Sequence, residues 1–389
     1  MLDISYEQCF LMCKVYEAIP APRVSNLRTA RAGPLSFRRT AWVSAPVRQK
    51  GHASREETNV RRLLFSAVVA GALLSGVTAH AACGDISLAV FTWQSAEAMS
   101  NVDQFILSHG YGCNVTTVAG DTVPTITAMI EKGQPDISSE STPSLLGDVY
   151  TKGAAEGRIS QIGTAISDGE ESGWYIPQYV ADAHPEIKTV EDAMKHPELF
   201  PSAEDPSKGA VIQGPQGWGD TVVTAQLYKA LDGDKLGFVL VPTGSAAALD
   251  GVITKAYEGK KGIIAQYWSP TSLLAKYKMV RLQMPHDAAE WARCTSKQDC
   301  PDPKPNYWGK AEMVTLASEK FGKRDDIADV KEYLAKRSWT QAEVGKVMLW
   351  MTENQANGED GAKWFIKNMP DVWTKWVPAN VAEKVKAAL

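Results

Sequence analysis

From residue 86 onward, short apolar runs alternate with longer stretches whose apolar residues recur every three or four positions, the signature of strands and amphipathic helices in a mostly parallel sheet. Ile86 to Thr92 (ISLAVFT) reads as a strand, and from Ala96 a helix sets Met99, Val102, Phe105 and Ile106 on one face before Gly110 stops it. Asn114 to Val118 is strand-like, Val123 to Ile130 is helical with Pro124 tolerated in its first turn, and Gly133-Gln134-Pro135 turns the chain into Asp136 to Ser139. A middle block repeats the pattern. Ala210 to Gln213 is followed by a turn at Gly214 to Gly219 and a helix from Thr221 to Leu231. Phe238 to Val241 then leads to a helix capped by Ser245 and running to Tyr257, and Gly262 to Tyr267 (GIIAQY) reads as a buried strand. The tail from Thr340 is helical, with Val344, Val347, Met348 and Met351 on one stripe.

Two segments break the rhythm. Glu170 to Gln178 is aromatic with Gly and Pro, and Cys300 to Asn306 (CPDPKPN) is proline-rich. Both are candidate crossings between lobes, giving 82–172 with 307–389 as one lobe and 173–306 as the other. A chain that goes out to a second lobe and returns leaves a cleft at the crossing, where small ligands bind.

The first 81 residues follow different rules. Behind Arg61-Arg62, the run Leu63 to Val77 is apolar but rich in Ala, Gly and Ser, and leads to Ala79-His80-Ala81, a small-x-small cleavage pattern. At about 15 residues it is short of the roughly 20 that span a bilayer, so 61–81 is predicted to be a signal peptide cut before Ala82. Residues 1–60 lack hydrophobic periodicity and precede the signal's own basic region, so they read as an over-extended start with Val60 as a candidate initiator. The expected location is periplasmic. A lipid anchor at Cys83 is the weaker option, because His80-Ala81-Ala82 lacks the aliphatic residue such sites use.

Removing the leader changes charge and cysteine count. It takes 11 of the 41 basic and 5 of the 45 acidic residues, which leaves the mature 308 residues at −10. Nucleic acid and anionic membrane are therefore unsuitable partners. Four cysteines remain, Cys83, Cys113, Cys294 and Cys300, an even number that in an exported chain predicts disulfides. Cys294 and Cys300 close a small polar loop, and Cys83 and Cys113 tie the first strand to the next. Metal-ligand spacing is missing, and no cofactor is expected.

No nucleophile elbow, metal cluster, phosphate loop or dinucleotide fingerprint has acceptable spacing. Gly214 to Gly219 (GPQGWG) lacks the Lys-Ser/Thr of a phosphate loop, and Pro215 removes an N–H. The chain is therefore not expected to be an enzyme. Tryptophan stands out instead, with 12 in the chain and several at strand ends beside turn residues. Trp93 closes the first strand, Trp218 precedes a helix, Trp268 closes a strand, and Trp174 with Tyr175 stands at the first crossing. A tetraalkylammonium head donates no hydrogen bonds, so a selective site must surround it with the negative faces of aromatic rings. The helix start Gly219-Asp220-Thr221 offers free N–H groups for a ligand carboxylate. Trp291, Trp308, Trp339, Trp350, Trp364, Trp373 and Trp376 read as packing or surface residues.

The phrases TWQSAE (92–97), GWYIP (173–177), GPQGWG (214–219), QYWSPTSLL (266–274) and DVWTKW (371–376) resemble the glycine betaine, proline betaine and choline-binding family of ABC importer subunits. The resemblance extends over nearly all of 82–389. It implies an α/β, two-lobed periplasmic-binding-protein fold of the type II kind that closes on its ligand. It also implies a monomer that delivers the ligand to an ABC permease, with energy from a separate ATPase. Trp93, Trp218 and Trp268 match the family's cage positions, and Trp174 and Tyr175 are further candidates. One departure stands out: where relatives carry another cage tryptophan after a Pro-Asp strand, this chain reads Pro135 to Pro143 (PDISSESTP). Glu140 in that stretch is a candidate to neutralise a cation or to accept a hydrogen bond from a choline hydroxyl or a protonated amine oxide. Glycine betaine or proline betaine is the expected ligand. Choline, carnitine, trimethylamine N-oxide or a basic amino acid are the alternatives on the same fold. A secreted hydrolase using Glu140 with Asp220, or a sugar-binding protein, is the rival of another class.

Overall fold

The computed structural model describes residues 83–389. The leader expected over 1–60 and the signal peptide expected over 61–81 lie outside the described residues. Nine strands form: β1 Asp85–Val90, β2 Asn114–Ala119, β3 Ile137–Ser141, β4 Ile159–Pro177, β5 Gly209–Gln213, β6 Phe238–Pro242, β7 Ile264–Ser269, β8 Met279–Arg281 and β9 Ala311–Ser318. They run in the order β2-β1-β3-β9-β4-β7-β5-β6, with β8 also on β4. β1 pairs parallel with β2 and β3, and β5 pairs parallel with β6 and β7. β9 and β4 run antiparallel to their neighbours. Each parallel half is built from strand, helix, strand units of the predicted kind.

β4 joins the two lobes. Its 19 residues belong to both sheets: up to Glu170 it pairs with β9, and from Glu171 it pairs with β7. The pairing slips three times before Glu170, and the last bulge contains Gly169 at φ +73, where a Cβ would collide with the Ala311 carbonyl. Glycine is required for that approach, and the bulge turns the strand just where it changes sheet. The chain returns to the first lobe through β9. Tyr307 and Trp308, expected in the first lobe, pack in the core of the second beside Trp174, Val223 and Phe238.

Two cores hold these sheets. In the first lobe, the helix Gln94–Phe105 buries Met99, Val102 and Phe105 against Ile86, Leu88 and Phe365. The helix Gln341–Asn354 buries the predicted stripe Val344, Val347, Met348 and Met351, and its start is fixed by a reciprocal Thr340–Glu343 capping box. Both predicted disulfides form, Cys83–Cys113 and Cys294–Cys300. Among the described residues no helix is long and apolar enough to cross a membrane.

Candidate functional site

Three tryptophans arrive at one place because each lies at or beyond the carboxyl end of a strand, where open α/β sheets present their ligands. Trp93 lies just past β1 and immediately precedes the helix Gln94–Phe105. Trp218 follows the β5 turn and immediately precedes the helix Gly219–Ala230, and Trp268 is the second-last residue of β7. The Trp93 and Trp218 rings lie 5.6 Å apart at 76°, and those of Trp218 and Trp268 lie 5.2 Å apart at 84°. Two indoles thus stand nearly perpendicular to a third, as walls of a box. Phe91 stacks on one face of Trp93 at 4.8 Å and leaves the other face free of it.

The remaining walls are acidic and small. The cavity is lined by the three indoles with Glu140, Glu170 and Asp220, and completed by Thr122, Ser141, Thr142, Leu145 and Gly219. Its volume is about 40 Å³ as space open to the centres of water molecules. At roughly 10–15 Å³ needed to hold one water in that measure, it is a small space with room for a few waters. Small polar residues at and after the end of β3, Ser141 and Thr142, form this side of the cavity.

Glu140 is held on one side only. Its Oε1 accepts from Trp93 Nε1 at 2.7 Å and from Ser95 Oγ at 3.0 Å, while Oε2 is buried without a protein partner. Burial pushes this carboxyl from its ordinary 4.5 up to about 7, against the pull of those two bonds and of Arg337. Arg337 is itself committed to Asp103 at 2.8 Å. Asp220 accepts from Trp308 Nε1 at 2.7 Å, and burial raises its carboxyl. Glu170 is raised well above the usual carboxylate range, first by burial and then by the nearby Asp220 and Glu140.

The two lobes meet around this cavity. Trp218 Nε1 donates across the cleft to Asp121 Oδ1 at 3.2 Å, Val123 N to Gly217 O at 3.1 Å, and Ser272 Oγ to Gln94 Oε1 at 2.7 Å. Gly219 approaches Leu145 of the opposite lobe so closely that a Cβ would strike its carbonyl oxygen. Gly217, close to Asp121, and Gly219 thus serve lobe closure rather than phosphate binding.

Not every candidate reaches the cavity. Trp174 is fully buried among Val223, Leu227 and Tyr307 in the second core, with its Nε1 3.4 Å from Thr224 Oγ1. Tyr175 points to the other face of β4, packs against Ala210 and Ile212, and donates to the Glu171 carbonyl. Neighbours in a strand face opposite ways, and here both faces lie in core, so neither residue is a cavity wall. Gly219 and Asp220 do line the cavity, yet the anion site expected at this helix start is flanked by the chain's own Asp220 and Glu170 carboxyls. Glu170 lines the cavity without being expected from the sequence, where its only signal is an acidic pair at the start of the crossing segment. Trp308, set aside as packing, positions Asp220.

Residues 84–368 match the family described as the substrate binding domain of ABC-type glycine betaine transport systems. The chain belongs to that family. A glycine betaine/carnitine transport binding protein, GbuC of Listeria monocytogenes serotype 1/2a (strain 10403S), is 28% identical over 134 residues. That match spans 34% of this chain and 38% of the relative. The fold is also that of a glycine betaine/L-proline-binding protein, ProX of Borrelia burgdorferi, at TM-score 0.62 and 17% identity over 77% of this chain and 99% of the other. Lactococcal OpuAC in complex with glycine betaine gives TM-score 0.59 at 21% identity over 76% and 100% of the two chains. A choline-binding protein of an ABC transporter, solved with choline, gives 0.59 at 16% over 79% and 98%. The family is one of transport substrate-binding proteins rather than enzymes, and its members share this two-lobed architecture.

Proposed function

We propose that this chain is the extracytoplasmic receptor of an ABC importer, and that it encloses a trimethylammonium-type head group between Trp93, Trp218 and Trp268 and passes the ligand unchanged to a membrane permease. The observation that carries this reading is the indole box around a small cavity whose wall includes the buried, unpaired Glu140 Oε2. Aromatic faces attract a desolvated cation by about 2 kcal/mol or more. Glu140 then holds whatever polar arm the head group carries. Closure of the lobes excludes water and makes contacts that exist only in the closed form, so ligand shifts the open–closed balance.

Within the family's ligand range, the acidic wall favours a head group without a carboxylate. A betaine carboxylate at the start of the helix Gly219–Ala230 would face Asp220 and Glu170. Choline instead offers a hydroxyl that donates to ionised Glu140. Trimethylamine N-oxide is a second reading, favoured by the small cavity and by a Glu140 carboxyl that holds its proton to about 7 and can donate it to the N–O oxygen.

Titration of the purified protein from pH 5.5 to 8.5, followed by tryptophan fluorescence, separates these readings. Ionised Glu140 is needed for choline, so its affinity rises with pH through about 7. Protonated Glu140 is needed for the N-oxide, so its affinity falls over the same interval. Failure of choline, trimethylamine N-oxide and glycine betaine alike to change the fluorescence would end the head-group reading. Loss of the added ligand to a product would replace the receptor with an enzyme.

A further inference from the structure

Glu170 occupies a place that neither the indole box nor the Glu140 contact explains. It sits at the last residue of β4 paired to β9, opposite Ala311, and the next residue, Glu171, already pairs with Ser269 of β7. The Gly169 bulge precedes it directly, so the side chain is aimed by the same irregularity that turns the strand between lobes. It lines the same cavity as Asp220 and Glu140. Ser172 Oγ donates to its Oε1 at 3.4 Å, and Thr142 lies beside it on the cavity wall.

The charge balance of the cavity is incomplete. Among the described residues no Lys or Arg lines it. Arg337, the cation behind Glu140, is bound to Asp103, and Arg281 is turned to the carbonyls of Ser172 and Trp308. Lys310 lies near Gly169, Asp121 is bonded to Trp218, and Glu171 and Tyr175 flank the strand without supplying positive charge. Three carboxyls in a desolvated box without a counter-cation cannot all be ionised together, so protons stay on some of them. The buried, unpartnered Glu140 Oε2 and the three indoles mark the space beside them as a ligand's.

We infer that Glu170, acting with Asp220, determines which ligands the cavity accepts: the pair repels a ligand carboxylate, and on capture of a cation it gives up a proton to the solvent, exchanging one positive charge for another. This rests on the cation reading above and deepens it. Because Glu170 is carried on the strand that joins the lobes, the exchange occurs where the strand bends between sheets. The neutral carboxyl becomes a carboxylate beside the ligand's nitrogen, the proton goes to buffer, and no other bond changes.

The test is calorimetric titration of choline and of glycine betaine into wild type and Glu170→Gln at pH 6.5, in two buffers of different ionisation enthalpy. Wild type is expected to release protons with choline and to prefer choline to glycine betaine. In Glu170→Gln the proton release falls by at least half, and the preference shifts towards glycine betaine about tenfold. Unchanged preference and unchanged proton release in the variant would overturn the proposal, as would the absence of proton release in a wild type that binds choline.

Infrared difference spectra of wild type alone supply a second measurement that does not depend on the variant folding. The protonated-carboxyl C=O band of the ligand-free protein at pH 6.5 is expected to weaken when choline is added. A ligand-free protein without such a band refutes the exchange even if no ligand binds. A protein that shows the band but binds neither compound refutes the head-group reading instead.

Discussion

Trp218→Ala is expected to weaken choline binding at least about a hundredfold while leaving the lobes folded. Trp218 is the wall that meets both other indoles, at 5.6 and 5.2 Å, so its loss opens two corners of the box. It also removes the bond to Asp121 that ties the second lobe to the first. A desolvated cation–π contact is worth about 2 kcal/mol, roughly a thirtyfold change, and the lost closure contact and water entry add to it. Trp350→Ala serves as the control, because Trp350 stacks on Trp364 beside the first core and does not line the cavity. Its choline affinity should remain within about twofold of wild type. Circular dichroism at matched temperature distinguishes loss of the site from loss of the fold, and an unaffected affinity in Trp218→Ala would remove the box from the account.

Glu140→Gln should lose ligand and gain stability at once. The carboxyl is buried with Oε2 unpartnered, and burial raises it to about 7 from 4.5. The folded state therefore binds the proton more tightly than the unfolded state, and the sign of the linkage follows: stability from this group is fully present below about 4.5 and is lost as pH rises to about 7. A shift of this size corresponds to about 3 kcal/mol. Glutamine keeps the shape and removes the titration. Ligand-free variant and wild type should melt together at pH 5, and the variant should melt a few degrees higher at pH 8. Choline affinity at pH 8 should fall by about a hundredfold, the order expected for losing a charge-assisted buried contact. Equal melting at both pH values would show that Glu140 is solvated, and retained affinity would show that it does not meet the ligand.

The indole box was legible in the sequence because its logic is local. A Trp at or shortly past the end of a strand lies at the carboxyl edge of the sheet, as Trp268 does within β7 and Trp93 and Trp218 do in the segments that follow β1 and β5. The helices announced themselves by period, as in Met99, Val102 and Phe105, and by caps such as Thr340 with Glu343. The two disulfides followed from an even cysteine count in an exported chain.

β4 was not legible, and most of the errors trace to it. Its 19 residues carry Gly163 and Gly169 and three register slips, so the two-residue alternation that marks a strand is interrupted repeatedly. The crossing expected over Glu170 to Gln178 does contain the change of sheet, which falls between Glu170 and Glu171, two residues ahead of the lobe boundary drawn at 172/173. Trp174 and Tyr175 stand where aromatics near a cleft are expected, but both faces of β4 are covered there. Glu140, Glu170 and Asp220 come from three separate elements, and only the closing of the lobes brings them together. No local pattern encodes a cluster of that kind.

A crystal structure of the protein with choline tests the central claim most directly. The account predicts the quaternary nitrogen within about 6 Å of the ring centroids of Trp93, Trp218 and Trp268, with the ligand hydroxyl on Glu140 and no protein group bonded to the nitrogen itself. A ligand seated elsewhere, or one whose charge is met by carboxylates while the indoles face away, would contradict it.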